Sequence, residues 1–197
     1  MWKKYLILSV AAASCGAASF PDYPVKPANE YSTAIEKSGY VVAAIPVEDR
    51  KDQRKYFGLD LRSRGLVPVF LVVENRTSDN SVFLKKDSLM YSPAGKSGST
   101  LPNAAKSSRF DKTVTALGYV PSVYMFMPLI VSSKTKERRQ HLLETELQSA
   151  TVSPGQSIPG FIFVPVTRGY SSRKKMQLNI TLVRSGSDDV VTIDATI

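Results

Sequence analysis

The chain has 197 residues, a hydrophobic fraction of 43%, a formal net charge of +9, one cysteine and one histidine. A single thiol and a single imidazole exclude a disulfide framework and any zinc site of the usual Cys/His kinds. The length suits one domain with a core of its own, and the basic excess points to anionic surfaces as partners.

Met1-Trp2-Lys3-Lys4 opens the chain, Tyr5 to Val10 runs apolar into alanines, and Ala12-Ala13-Ser14-Cys15-Gly16 follows. A cationic head, a compact apolar run and small residues are the parts of a secretory signal peptide. The run is too short to cross a bilayer as a helix, which takes about 20 residues. Cys15 after Ala13 and Ser14 resembles the lipobox of bacterial lipoproteins, with Ala12 where that family prefers leucine. The resemblance implies a signal peptide over 1–14 and acyl chains on Cys15 as the lipidated first residue. It further implies stable attachment to a leaflet and, with Gly16 next, the outer membrane facing the periplasm. The alternative is an ordinary signal cut after Ala18 or Ser19, which discards Cys15 and releases a soluble secreted binding module.

Pro21, Pro24 and Pro27 recur every third residue, which favours a polyproline-like segment rising about 3.1 Å per residue. Residues 15–30 therefore read as a spacer that lifts a single domain, 31–197, off the membrane. Gly39 to Val47 is a β-branched run and predicts the first strand. Glu48 to Lys55 is charged and predicts a solvated turn or short helix. Leu66 to Asn75 is the strongest strand signal, and its unbroken apolar run predicts burial on both faces. Asn75 to Asn80 is dense in turn formers, so Val82-Phe83-Leu84 reads as the return strand.

Leu101 to Ser149 departs from this pattern. Leu117 to Val131 is almost wholly apolar yet carries Pro121 and Pro128, and it too falls short of a membrane span. Lys134 to Ser149 has no proline or glycine, and Leu143 and Leu147 stand one turn apart, which predicts a helix. The segment at about 101–149 reads as a helical insert packed on an open edge or end of the β structure. Tyr119, Tyr124, Met125, Phe126 and Met127 are its candidates for contact with the anchoring bilayer or a partner.

Val152-Ser-Pro-Gly155 predicts a turn into a strand centred on Phe161 to Val164. Met176, Leu178, Ile180 and Leu182 alternate with Gln177, Asn179 and Thr181, the pattern of a strand with one wet face. Val190 to Ile197 closes the chain with Val191, Ile193 and Ala195 on one side. Short strands divided by Gly, Pro, Asn and Ser clusters predict an antiparallel sandwich. Leu66–Asn75 with its polar turn, and Pro154-Gly155 followed by Pro159-Gly160-Phe161-Ile162-Phe163, resemble the immunoglobulin-like domains of bacterial surface lipoproteins. The resemblance covers Gly39–Asn75 and Ser153–Ile197. It implies a mainly β, antiparallel immunoglobulin-like sandwich with a helical insertion between its two halves. It implies anchoring but no activity.

His141 lies beside Arg138 and Arg139, with Glu137 and Glu144 at helical spacing, which predicts a hydrogen-bonded surface histidine rather than a base. Gly155-Gln156-Ser157-Ile158-Pro159 lacks the second glycine of a nucleophile elbow. Gly95-Lys96-Ser97 lacks the first glycine of a phosphate loop, because Met90 stands there. The expectation is a non-enzymatic protein without a cofactor or metal. Basic groups cluster at Arg50-Lys51 with Arg54-Lys55, at Lys85-Lys86, at Lys134 to Arg139 and at Arg173-Lys174-Lys175. For an exported chain these suit anionic envelope lipid, acidic glycan or another envelope protein, and not nucleic acid. Asn75-Arg76-Thr77 and Asn179-Ile180-Thr181 match the glycan-acceptor triplet, which carries no meaning in a bacterial lipoprotein.

Overall fold

The computed structural model describes residues 20–93, 99–100, 133–166, 176–187 and 189–197. Within them the chain runs β1 (Ile35–Lys37), β2 (Tyr40–Pro46), α1 (Arg50–Phe57), β3 (Leu66–Asn75), β4 (Val82–Leu84), β5 (Met90–Pro93) and β6 (Ser99–Thr100). It continues with α2 (Ser133–Thr145), β7 (Ala150–Val152), β8 (Ser157–Pro165), β9 (Met176–Arg184) and β10 (Val190–Thr196). The fold is mainly β, and the strands form two antiparallel sheets.

The first sheet has the order β1-β2-β3-β8. In the second, β9 is the spine: β10 pairs along one edge, while β4 and β5 lie end to end along the other. β7 extends this sheet from β4, and β6 extends it from β5. The turn after Asn75 thus delivers β4 to the second sheet and not back onto β3. Both edges of β3 are already occupied, by β2 on one side and β8 on the other, so no return position is open.

Side-chain alternation explains the layering. Val67, Val69, Leu71 and Val73 of β3 point between the sheets, against Leu178, Ile180 and Leu182 of β9 and their neighbours. Leu66, Phe70 and Val72 of the same strand point the other way, against Phe57 of α1 and Leu142 of α2. The first sheet is therefore the middle of three layers, with the second sheet on one face and helices on the other. That placement is why β3 reads as one unbroken apolar run. β9 faces the core on one side only, and its buried positions alternate accordingly.

Of the helical insert the described residues include α2; residues 101–132 lie outside them. The Leu143–Leu147 pairing expected from helical spacing does not form, because α2 ends at Thr145. Glu146 then bridges to Phe161, and the Leu147 amide donates to the Phe161 carbonyl at 2.8 Å. Leu147 drops into the core between the sheets, while Leu142 is the buried leucine of the helix. This connection runs along β8 at Gly160, where a Cβ would stand 2.7 Å from the Leu147 Cα.

Asn75 ends β3 fully buried. Its Nδ2 donates to the carbonyls of Asn80 at 2.7 Å and Val152 at 2.9 Å, and its Oδ1 accepts from the Thr77 amide and hydroxyl. One side chain thus holds the crossing turn to the lead-in of β8. With both amide hydrogens in use, Asn75 is unavailable as a glycan acceptor.

Candidate functional site

A polyproline helix has three residues per turn, so every third side chain shares a side. Between Phe20 and Pro27 this separates prolines from aromatics. Pro21, Pro24 and Pro27 are exposed, whereas Phe20 and Tyr23 are half-buried against the domain. Pro27 keeps the geometry, with φ −52° and ψ 141°.

Tyr23 is the centre of the contact. Its ring lies 4.6 Å from that of Phe70, 5.1 Å from Phe161 and 4.9 Å from Tyr56, joining the leader to β3, β8 and α1 together. Tyr31 packs on Phe70 from the other end of the segment and accepts a hydrogen bond from the Lys26 amide. The Ala28 amide donates to Glu74 Oε2 at 3.0 Å. Phe20–Glu30 is therefore a strap laid over the outer face of the first sheet, while residues 15–19 of the expected spacer lie outside the described residues. Aromatic burial on a face already lined by Phe70 and Phe161 outweighs extension into solvent. Burial raises the Tyr23 phenol above its ordinary value of 10.0, and the neighbouring Tyr31, Tyr56 and Asp52 raise it further.

α1 is the next element of the face. Asp49 caps its start by accepting from the Lys51 amide, and Gly58 ends it in the left-handed region at φ 69°. The buried Gln53 donates to the Val47 carbonyl at 2.6 Å and accepts from the Arg62 amide at 2.9 Å, fixing the helix to what precedes and follows it. Phe57 turns into the core, leaving Arg50, Lys51, Arg54 and Lys55 exposed. Lys55 donates to the Tyr56 hydroxyl and lies 4.7 Å from that ring's centroid. Cations in the last turn also suit the negative end of the helix dipole.

The strap, α1 and α2 meet at Gly58. A Cβ there would stand 2.5 Å from Phe20 Cε1 and 3.2 Å from Arg138 Nε. Phe20 stacks on His141, ring centroids 4.6 Å apart. His141 Nε2 lies 2.7 Å from the Tyr56 carbonyl. A carbonyl only accepts, so that nitrogen carries the proton. His141 is thus half-buried and bound to backbone, with its ring packed on Phe20, rather than the surface histidine paired with its own helix that spacing suggests.

A second surface lies on the far side of the molecule. Val190, Val183 and Phe83 stand in register across β10, β9 and β4 on the outward face of the second sheet. Val190 is 54% and Phe83 39% exposed.

Cys15 and the aromatic and methionine positions Tyr119, Tyr124, Met125, Phe126 and Met127 lie outside the described residues. Among the described residues no group of three or more His, Cys, Asp or Glu side chains is placed to hold a metal ion. No helix among them is long and apolar enough to cross a membrane. Phe20, Tyr23 and Tyr31 are the residues that sequence reasoning missed. Their signal is the three-residue offset of Phe20 and Tyr23 inside a proline triplet, which sets aromatics on one side of the helix and prolines on another. No protein-family model matches this chain, and neither a curated protein nor a solved structure matches it.

Proposed function

We propose that this chain is a lipid-anchored, non-enzymatic protein of the bacterial cell envelope, held through Cys15 and facing the periplasm from the outer membrane. Its two-sheet domain acts as a scaffold or binding module and is read as an immunoglobulin-like sandwich. One observation carries the reading: the only cysteine follows Ala12-Ala13-Ser14 at the end of a cationic, apolar leader. The packing of the next described segment agrees with it. Tyr23 and Tyr31 hold the strap against the domain, so an anchor upstream would act on a packed segment. The non-enzymatic part rests on the sequence, in which the nucleophile-elbow and phosphate-loop patterns are both incomplete.

Mass spectrometry of the mature N-terminus decides the matter. An acylated first residue at Cys15, lost together with fatty-acid labelling in Cys15→Ser, is the expected result. A free N-terminus at Ser19 or Phe20 overturns the anchor and establishes a secreted module in its place.

A further inference from the structure

We propose that the face formed by α1 and Arg138 lies against the leaflet and binds anionic phospholipid headgroups. Two independent observations lead there, and the orientation rests on the lipid-anchor reading of Cys15. The first is a length. The strap fixes Phe20 in the notch at Gly58, between the end of α1 and Arg138 of α2. The five residues from Cys15 to Phe20 span no more than about 18 Å even when fully extended. An acylated Cys15 therefore keeps this notch, and with it the last turn of α1, within a short leash of the headgroups. Any face on the opposite side, such as Phe83 and Val190 on the second sheet, is separated from that notch by all three layers.

The second observation is charge. α1 presents Arg50, Lys51, Arg54 and Lys55 to solvent with Asp52 as its one carboxylate. Among the described residues none of Arg54, Lys55 and Arg138 forms a salt bridge. Lys55 is engaged by the Tyr56 hydroxyl, and among the described residues the salt bridge of α1 is Arg50 with Asp60 at 3.4 Å. Free cations at a headgroup surface gain from its negative potential, which decays over about 10 Å at 0.1 M salt. A leash of at most about 18 Å holds the notch, with Arg138 beside it and the last turn of α1, within about two screening lengths of the headgroups. An acyl anchor with a basic surface beside it is a two-signal attachment, stronger than either alone.

The same geometry assigns roles to the strap residues. Tyr23 and Phe20 do not touch lipid in this arrangement; they set which face the anchor presents. If the strap were free, residues 15–30 would let the domain tumble and no face would be preferred.

The test uses the mature protein carrying a fluorophore at Asp52→Cys, reconstituted in phosphatidylcholine vesicles with or without roughly one-third phosphatidylglycerol. Energy transfer from that fluorophore to headgroup-labelled lipid reports how close α1 sits. We expect strong transfer with phosphatidylglycerol and a several-fold loss without it. The signal should also fall at about 1 M salt, where the screening length is about 3 Å. Arg54→Glu with Lys55→Glu and Arg138→Glu should abolish the lipid dependence, whereas Lys37→Glu with Lys85→Glu should not. Equal transfer in both vesicles, or equal loss in both sets of variants, overturns the proposal. Mass spectrometry of the same sample reports acylation separately. If Cys15 is absent or unmodified, the anchor reading falls. The leaflet face then stands only if the soluble chain binds phosphatidylglycerol vesicles at least tenfold more tightly than the Arg54→Glu set does; absence of that binding overturns it as well.

Discussion

Lys86 Nζ lies 2.7 Å from Glu146 Oε1, with the two side chains only 10% and 4% exposed. Lys86 belongs to the short turn that separates β4 from β5, and Glu146 follows the end of α2. The pair therefore ties the turn between β4 and β5 to the segment that bridges to β8 at Phe161. A second link beside it, from the Lys86 amide to Ser149 Oγ at 2.9 Å, fixes the same corner. Lys86→Met removes this ion pair from the buried Glu146 carboxylate and should cost about 3 kcal/mol in urea denaturation. Lys86→Met combined with Glu146→Leu removes both charges and should recover most of that loss. Additive losses would show that the two groups are not coupled.

Asn75 makes a different kind of link, with both of its amide hydrogens spent on carbonyls from separate parts of the chain. Asn75→Ala leaves the Asn80 and Val152 carbonyls without those donors and should cost about 2–3 kcal/mol by chemical denaturation. Asn75→Asp should cost more, because a carboxylate would face two carbonyl oxygens. Thr77→Ala, which removes the hydroxyl and keeps the backbone donor, should cost less than either.

The strap can be loosened from either of its ends. Gly58→Ala requires a non-glycine residue at φ 69° and drives a methyl into Phe20, and should cost about 1–2 kcal/mol. Tyr23→Ala removes ring contacts with Tyr56, Phe70 and Phe161 and should cost about 2 kcal/mol, less than a fully buried aromatic. In both variants hydrogen exchange at the Ala28 amide, which donates to Glu74, should accelerate. The amides of β9 should stay protected up to the global unfolding limit. Equal acceleration in β9 would mean that the strap and the sandwich unfold as one unit.

The Tyr23 phenol offers a reversible handle on the same contact. Its ionisation is shifted upward, first by burial and then by Tyr31, Tyr56 and Asp52. A raised value means that the folded state holds this proton more tightly than the unfolded chain does. The resulting stabilisation is complete below about pH 10 and is lost as pH rises through the folded value. Tyrosinate absorbance should show one residue ionising late, and Tyr23→Phe should remove that late step while leaving stability near pH 7 unchanged. If the late step survives in Tyr23→Phe, the shifted group lies elsewhere.

Gly160 marks a close backbone approach on β8. A methyl there meets the Leu147 Cα at 2.7 Å, which is backbone and has little room to yield. Gly160→Ala should therefore cost about 2–3 kcal/mol, and loss of the hydrogen bond from Leu147 to Phe161 should appear as faster exchange at the Leu147 amide.

Periodicity carried the β structure well. The bounds of β3, β4 and β9 coincide with the runs that hydropathy marks out, because burial on two faces or on one imprints directly on alternate residues. Which sheet a strand joins leaves no such imprint. Val82 and Leu84 would alternate in the same way beside β3 or beside β9, and only occupancy of both β3 edges decides between them. Leu142 and Leu147 show the same limit at a helix end. Helical spacing favours Leu143 with Leu147, but the hydrogen bond from Leu147 to Phe161 ends the helix first.

The linear chain by itself determined the lone cysteine behind a cationic, apolar leader, the absence of a possible disulfide, and a run of strands with their wet and dry faces. These are local properties, set by residue type and by neighbours within a few positions. Tertiary structure alone decided that the proline-spaced segment is a strap, that His141 answers to Tyr56 and Phe20, and that Lys86 meets Glu146. Each depends on surfaces brought together from distant parts of the chain. Tyr23 has no buried partner until β3, β8 and α1 have assembled the face that receives it.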